Sequence, residues 1–300
     1  MPGPLISVVC AVHNGMHYVS EAIESVLAQT NVDLELIIVD DGSTDGTASI
    51  LVDSRAGDRR VRVITQANRG VAAARNAGMA AARGAFVAFI DADDVWLPSK
   101  LERQLELFRE DPDLALAFTG YAVTDEQLRR RGVVLSSDIQ RWMLLEGNGP
   151  GLSSTAMVRV AAMGADMRFQ HALSTSADLE FAWRASTRGA VATVRAPLVL
   201  YRTHGSQMHR NFEIMERDVN AIYDMVFAGE DEETCALRRR GRANMHTRMA
   251  IHDLRAWRLA FARQRVGRVL RLAPSRLVLL PLGALRRKAI RYGLRFLPTR

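Results

Sequence analysis

The sequence predicts an α/β protein with a mainly parallel central sheet flanked by helices, followed by a basic helical C-terminal extension. Three observations carry this. Short apolar runs alternate with segments of helical spacing through the first 120 residues. Two of those runs end in clustered aspartates, Asp40-Asp41 and Asp91-Ala92-Asp93-Asp94. Basic residues dominate the last quarter of the chain: Ala236 to Arg300 holds 18 Lys/Arg against one acid, Asp253, which leaves 22 basic against 32 acidic residues elsewhere.

In chain order, residues 6–12 read as a buried strand, and 18–29 as a helix with Val19, Ala22, Ile23, Val26 and Leu27 on one face. Residues 34–39 form a second strand and 44–52 a short helix that Ser43 or Thr44 would cap. Residues 61–64, 86–90 and 114–118 are further strands, with an Ala-rich helix at 71–82. Pro98 opens a helix over 98–109, where its missing N–H costs little. Beyond Gly120 the expected elements are a helix at 138–145, a loop at 147–151, a strand at 154–158, a helix at 179–186, and two short strands at 191–194 and 199–201. Helices broken by Pro274, Pro281 and Pro298 follow from about residue 211. The expected division is a catalytic domain over 1–210, split into halves 1–120 and 121–210, and a helical extension over 211–300.

Two distant cysteines, Cys10 and Cys235, give neither a disulfide framework nor a CxxC metal site, and fit a reducing compartment. No secretory leader and no run of about 18 apolar residues is seen, so no membrane span is expected. Ala11–Gly15 lacks G-x-G-x-x-G, which argues against a dinucleotide-dependent oxidoreductase.

The aspartate clusters are the main chemical signal. In an open α/β sheet, ligands bind outside the carboxyl ends of the strands. Carboxylates crowded there repel one another unless a cation or donor groups compensate. Asp91 and Asp93, at i and i+2 of an extended segment, can address one ligand. A divalent ion carrying a diphosphate suits such a pair.

The ordered motifs Ser7-Val8-Val9-Cys10-Ala11-Val12-His13-Asn14-Gly15, Val39-Asp40-Asp41-Gly42-Ser43-Thr44-Asp45-Gly46, Asn68-Arg69-Gly70, Ala74-Arg75-Asn76-Ala77-Gly78 and Phe89-Ile90-Asp91-Ala92-Asp93-Asp94-Val95-Trp96 resemble the family 2 glycosyltransferases over about residues 5–205. The resemblance implies the GT-A (nucleotide-diphospho-sugar transferase) fold, Mg²⁺ or Mn²⁺ dependence and inversion at the anomeric carbon. It implies donor binding by Ala11, His13, Asp40, Asp41, Arg75, Asp91 and Arg202, with Asp93 and His204 on the metal. Ala177-Asp178-Leu179-Glu180 resembles the segment carrying the general base, which matches Asp178. The preceding acidic residue of the family is Ala177 here, and Glu180 is a rival. His13 stands where the family often has Tyr.

The implied partners are a nucleotide-diphospho-sugar donor, a saccharide or lipid-linked saccharide acceptor and, through the basic region, an anionic membrane surface. No nucleic acid is expected. The expected location is cytoplasmic, peripheral to the inner face of the cell membrane. The residues leave two alternatives open, a nucleotidyltransferase of similar fold and a catalytically lapsed sugar-nucleotide-binding protein.

Overall fold

The computed structural model describes residues 5–135, 153–173, 176–205, 212–226, 231–255 and 257–273. The chain divides into two compact units, Met1–Asp218 and Val219–Arg300.

The first unit is built on a nine-stranded sheet in the order β3 (Val61–Thr65), β2 (Leu34–Asp40), β1 (Ile6–Val12), β4 (Phe86–Asp91), β8 (Met157–Arg159), β6 (Leu114–Thr124), β9 (Ala190–Arg202) and β5 (Val95–Trp96), with β7 (Arg130–Val134) added to β6. Four parallel strands form one side: β1 (Ile6–Val12), β2 (Leu34–Asp40), β3 (Val61–Thr65) and β4 (Phe86–Asp91). Every residue of β2 is buried, as expected of a strand covered on both faces. The connecting helices are α1 (Val19–Leu27), α2 (Thr47–Gly57) and α3 (Val71–Ala81). Helix α3 lies tight on the sheet because Gly78 has no side chain; a Cβ there would sit 2.4 Å from Val9 Cγ1.

The other side mixes directions. A two-residue β5 (Val95–Trp96) leads into α4 (Lys100–Glu110), then β6 (Leu114–Thr124) and β7 (Arg130–Val134). A 3-10 turn (Ser153–Thr155), β8 (Met157–Arg159), α5 (Val160–Met163), α6 (Ala177–Ser186) and β9 (Ala190–Arg202) complete it. β6 pairs parallel with β9 but antiparallel with β7 and β8. The expectation of a mainly parallel sheet therefore describes the first half, and the whole is mixed.

Other boundaries shift for local reasons. Helix α2 starts at Thr47, not at residue 44. Ser43 and Thr44 are drawn away from capping: Ser43 Oγ accepts from Asn14 N–H, and Thr44 N–H donates to Asn14 Oδ1. Asp45 Oδ1 accepts the Thr47 N–H instead, at 2.9 Å. Residues 191–194 and 199–201 belong to one strand, β9, because its irregular pairing with β6 carries it past Pro197. The 154–158 segment turns through Thr155 before extending. The helix expected at 138–145 and the loop at 147–151 lie outside the described residues.

The second unit contains most of α7 (Phe212–Val226), with α8 (Glu232–Arg255) and α9 (Leu259–Leu272). Asp253, the sole acid of the basic region, is 2% exposed and pairs with Arg258 at 2.7 Å and Arg265 at 2.8 Å. Trp257, Leu259, Phe261 and Leu270 are exposed. No helix among the described residues is long and apolar enough to cross a membrane.

Candidate active site

Register brings the two aspartate clusters to one end of the parallel strands. β1 lies between β2 and β4; Val12 is level with Asp40, and Ala11 is level with both Val39 and Asp91. Asp40, Asp91, Ala11 and the following His13 therefore share the carboxyl edge at which the strand order reverses, where such sheets bind ligands.

The first cluster is held by backbone and amide donors. Asp40 Oδ1 accepts the Ser43 N–H at 2.9 Å. Asp41 Oδ1 accepts from Gln66 Nε2 at 2.7 Å and from the Arg69 N–H at 3.0 Å, while Oδ2 accepts the Gly70 N–H at 2.8 Å. The turn that follows Asp41 needs glycine: Gly42 has φ +73°, and a Cβ would lie 2.8 Å from Asn68 N. His13 is exposed on this wall; its Nδ1 lies 3.0 Å from Asp41 O, and Asn68 Nδ2 lies 3.2 Å from each ring nitrogen.

The second cluster is held by side chains. Arg75 Nη2, on buried α3, donates to Asp91 Oδ1 and to Ser153 Oγ, each at 2.6 Å. The Phe169 ring lies against the same guanidinium, 5.3 Å from its carbon. Asp94 is 1% exposed; its Oδ2 accepts from Ser154 Oγ at 2.5 Å and its Oδ1 from the Arg202 N–H at 3.1 Å. Burial, then Asp93 and Asp91, push its carboxyl well above the usual range. Asp93 stays accessible, and its Oδ2 lies 2.8 Å from His204 Nε2.

Arg202 is turned into the protein. Its guanidinium donates to Asp93 O at 2.9 Å, to Glu126 O and to Glu21 Oε2 at 2.9 Å, lies against the Tyr18 ring, and leaves the residue 1% exposed. The cause is local: β9 ends over the aspartate turn, and Asp94 captures the backbone N–H of Arg202. Its visible task is to tie α1 to that turn.

Asp178 sits in the first turn of α6, and its Oδ1 accepts the Leu179 N–H at 2.9 Å. Burial raises its carboxyl to about 6; the Arg75 cation opposes that rise and the Asp91 carboxylate adds to it. The carboxyl thus lies within electrostatic reach of the second cluster. Three aromatic rings set this relation. Phe89 on β4 meets Phe169 and Phe181 at 5.2 and 5.6 Å between centroids, and Phe169 stacks on Phe181 at 4.6 Å. Asn76 clamps the same segment, donating to Phe169 O at 2.9 Å and accepting its N–H at 2.7 Å. The rival Glu180 is withdrawn: it is 5% exposed and accepts two 2.8 Å bonds from Arg184.

The structure thus gathers Ala11, His13, Asp40, Asp41, Arg75, Asp91, Asp93, Asp178 and His204 into one region, with Arg202 beneath it. Sequence reasoning missed Ser153 and Ser154, which follow a glycine-rich stretch and carry no spacing signal. It passed over Asn76 beside Arg75. Among the described residues, no three His, Cys, Asp or Glu side chains are grouped to hold a metal ion. Asp91 and Asp94 are turned to other partners, leaving Asp93 and His204 as the adjacent donors. Mg²⁺ typically uses only one or two protein carboxylates and completes its shell with phosphate and water, so this small set fits an ion brought with a diphosphate.

The Glycosyl transferase family 2 profile matches residues 7–161. An uncharacterized glycosyltransferase of Nostoc sp. is 36% identical over 214 residues, covering 68% of this chain and 66% of that protein. A putative teichuronic acid biosynthesis glycosyltransferase of Bacillus subtilis is 44% identical over 121 residues, 40% of this chain and 48% of its own. Escherichia coli chondroitin synthase is 38% identical over 134 residues, 45% of this chain and 19% of the synthase. The chain thus spans less than two thirds of each of these relatives.

Among solved structures, S. aureus TarS 1–349 in complex with UDP superposes with TM-score 0.62 at 19% identity, covering 100% of this chain and 94% of that one. The mannosyltransferase PcManGT of Pyrobaculum calidifontis, in complex with GDP-Man and Mn²⁺, gives 0.63 at 16% identity, covering 97% and 83%. These likenesses establish the GT-A fold. With the family match over residues 7–161, they identify the chain as a member of glycosyltransferase family 2.

Proposed function

We propose that this chain is an inverting glycosyltransferase that moves a sugar from a nucleotide-diphospho-sugar to an acceptor hydroxyl, in the assembly of a cell-surface polysaccharide or glycolipid. The observation that carries the reading is Asp178, a carboxyl raised to about 6 and within electrostatic reach of the Arg75–Asp91 pair. A base with that pKa is ionised at neutral pH yet basic enough to accept a hydroxyl proton. Nucleotide complexes of neighbours in fold, with UDP and with GDP-Man and Mn²⁺, support the donor class. Names among the relatives support the biosynthetic setting.

In this mechanism, Ala11, His13, Asp40 and Asp41 form the wall for the donor's base and ribose. The imidazole of His13 offers a face for stacking. Asp91, oriented by Arg75, accepts from ribose or donor-sugar hydroxyls. Asp178 takes the proton from the acceptor hydroxyl as that oxygen attacks the anomeric carbon opposite the nucleotide, so the configuration inverts. Asp93 and His204 would hold Mg²⁺ or Mn²⁺, which when bound supplies charge neutralisation to the departing diphosphate. Arg202 acts by holding the aspartate turn, and direct phosphate contact by it is not part of the proposal.

The basic second unit supports contact with an anionic membrane surface. Failure of the full chain to co-sediment with anionic vesicles at low salt would remove that element. The donor reading is tested by thermal melting against a panel of nucleotide-sugars with and without Mn²⁺. A metal-dependent rise with one nucleotide class is expected; indifference to every combination would overturn the reading.

A further inference from the structure

The 3-10 turn Ser153–Thr155 braces the second aspartate cluster from behind, and the mechanism above does not use it. Arg75 Nη2 carries two hydrogens. One goes to Asp91 Oδ1 and the other to Ser153 Oγ, both at 2.6 Å. Arg75 is 7% exposed and Ser153 4%, so water is poorly placed to substitute. The next hydroxyl, Ser154 Oγ, accepts the Asp91 N–H at 3.0 Å and donates to Asp94 Oδ2. Ser154 O in turn accepts from Trp96 Nε1 at 2.9 Å. Adjacent serines from the second half of the domain therefore fix the backbone of Asp91 and the cation paired with its carboxylate.

We propose that Ser153 is a positioning residue for sugar transfer: its hydroxyl holds the Arg75 guanidinium where that one cation serves both Asp91 and Asp178. The inference rests on the reading of Asp178 as the base. The Phe169 ring fixes the plane of the guanidinium but supplies no directed bond. Among the described residues, Asp91 and Ser153 are the side-chain hydrogen-bond partners of Arg75. Without the hydroxyl, one buried N–H loses its acceptor, and the guanidinium is free to follow Asp91 alone. Drawn toward Asp91, the guanidinium then restrains the rise of Asp178 less, while the neighbouring Asp91 charge still drives it up. Glu180, on the same helix, is paired with Arg184.

The test compares Ser153→Cys, which keeps the volume but is a poor acceptor for a guanidinium, with Ser153→Thr, which keeps the hydroxyl. The Asp178 carboxyl is followed by ¹³C NMR across pH, its signal assigned by loss in Asp178→Asn. The wild type is expected to titrate near 6. The Cys variant should titrate higher by roughly half a pH unit or more. Its kcat/KM for the donor should fall about tenfold, the scale of a lost hydrogen bond to a charged group, and the Thr variant should restore both. Should the Cys variant melt well below the wild type, Ser153→Ala is read in its place. An Asp178 titration unchanged in the variants lacking the hydroxyl, or equally displaced in the Thr variant, overturns the proposal. If Asp178→Asn stays active, the base assignment fails, while the titration still decides whether Ser153 sets the cation.

Discussion

The aspartates that end β2 and those that end β4 flank the same central strand, yet they are held in opposite ways. Asp41 is surrounded by uncharged donors, two of them backbone N–H groups from the 66–70 loop, and is 3% exposed. Asp91 and Asp93 meet an arginine and a histidine and remain partly accessible. Backbone donors cannot leave without unfolding a loop, whereas side-chain partners can exchange for a ligand. The first cluster is therefore chiefly a wall, and the second is where charge can be rearranged during a reaction. Asp94, buried against the serine turn and the Arg202 backbone, is fixed in place like Asp41 although its sequence puts it in the second group.

The comparison breaks most visibly at Asp93. Asp93→Ala is expected to lower transfer by about 10³-fold or more, within the scale of electrostatic groups acting at a developing charge, and to remove the metal dependence of donor binding in calorimetry. His204→Ala should cost about 10–100-fold, with a weaker metal response in the same titration. Asp41→Asn should do the reverse of Asp93→Ala. Replacing an acceptor of three bonds lowers stability by about 2–3 kcal/mol, seen in urea unfolding, while kcat changes less than tenfold. Equal kinetic loss at Asp41 and Asp93 would erase the distinction. The smallest kinetic effect is expected at Glu180→Gln: kcat within about threefold of wild type, with a lower melting temperature because Arg184 loses its buried partner.

Much of this was legible in the sequence because the relevant signals are local. Four parallel strands and their helices announced themselves through runs such as Leu36-Ile37-Ile38-Val39 and the alanine face around Arg75. The aspartates were readable because their position at strand ends has a physical meaning. What was not legible depends on contacts distant in sequence. Ser153 reaches Arg75 across 78 positions, and Arg202 reaches Glu21 across 181. No periodicity encodes such pairings. Asp178 matched the base and Glu180 stood as its rival near the same helix start; Arg184 separates them by occupying Glu180 and not Asp178. Ser43 and Thr44 looked like caps, but Asn14 across the loop claimed them first.

The most direct test of the central claim is a paired measurement on wild type and Asp178→Asn. The carboxylate must be ionised to take a proton, so wild-type kcat/KM should rise with pH through about 6 and level off above it. The Asn variant should lose about 10²–10⁴-fold in transfer and lose that acid limb, while donor affinity by calorimetry stays within a few-fold of wild type. A variant that turns over at near-normal rate with the same pH profile would contradict the account.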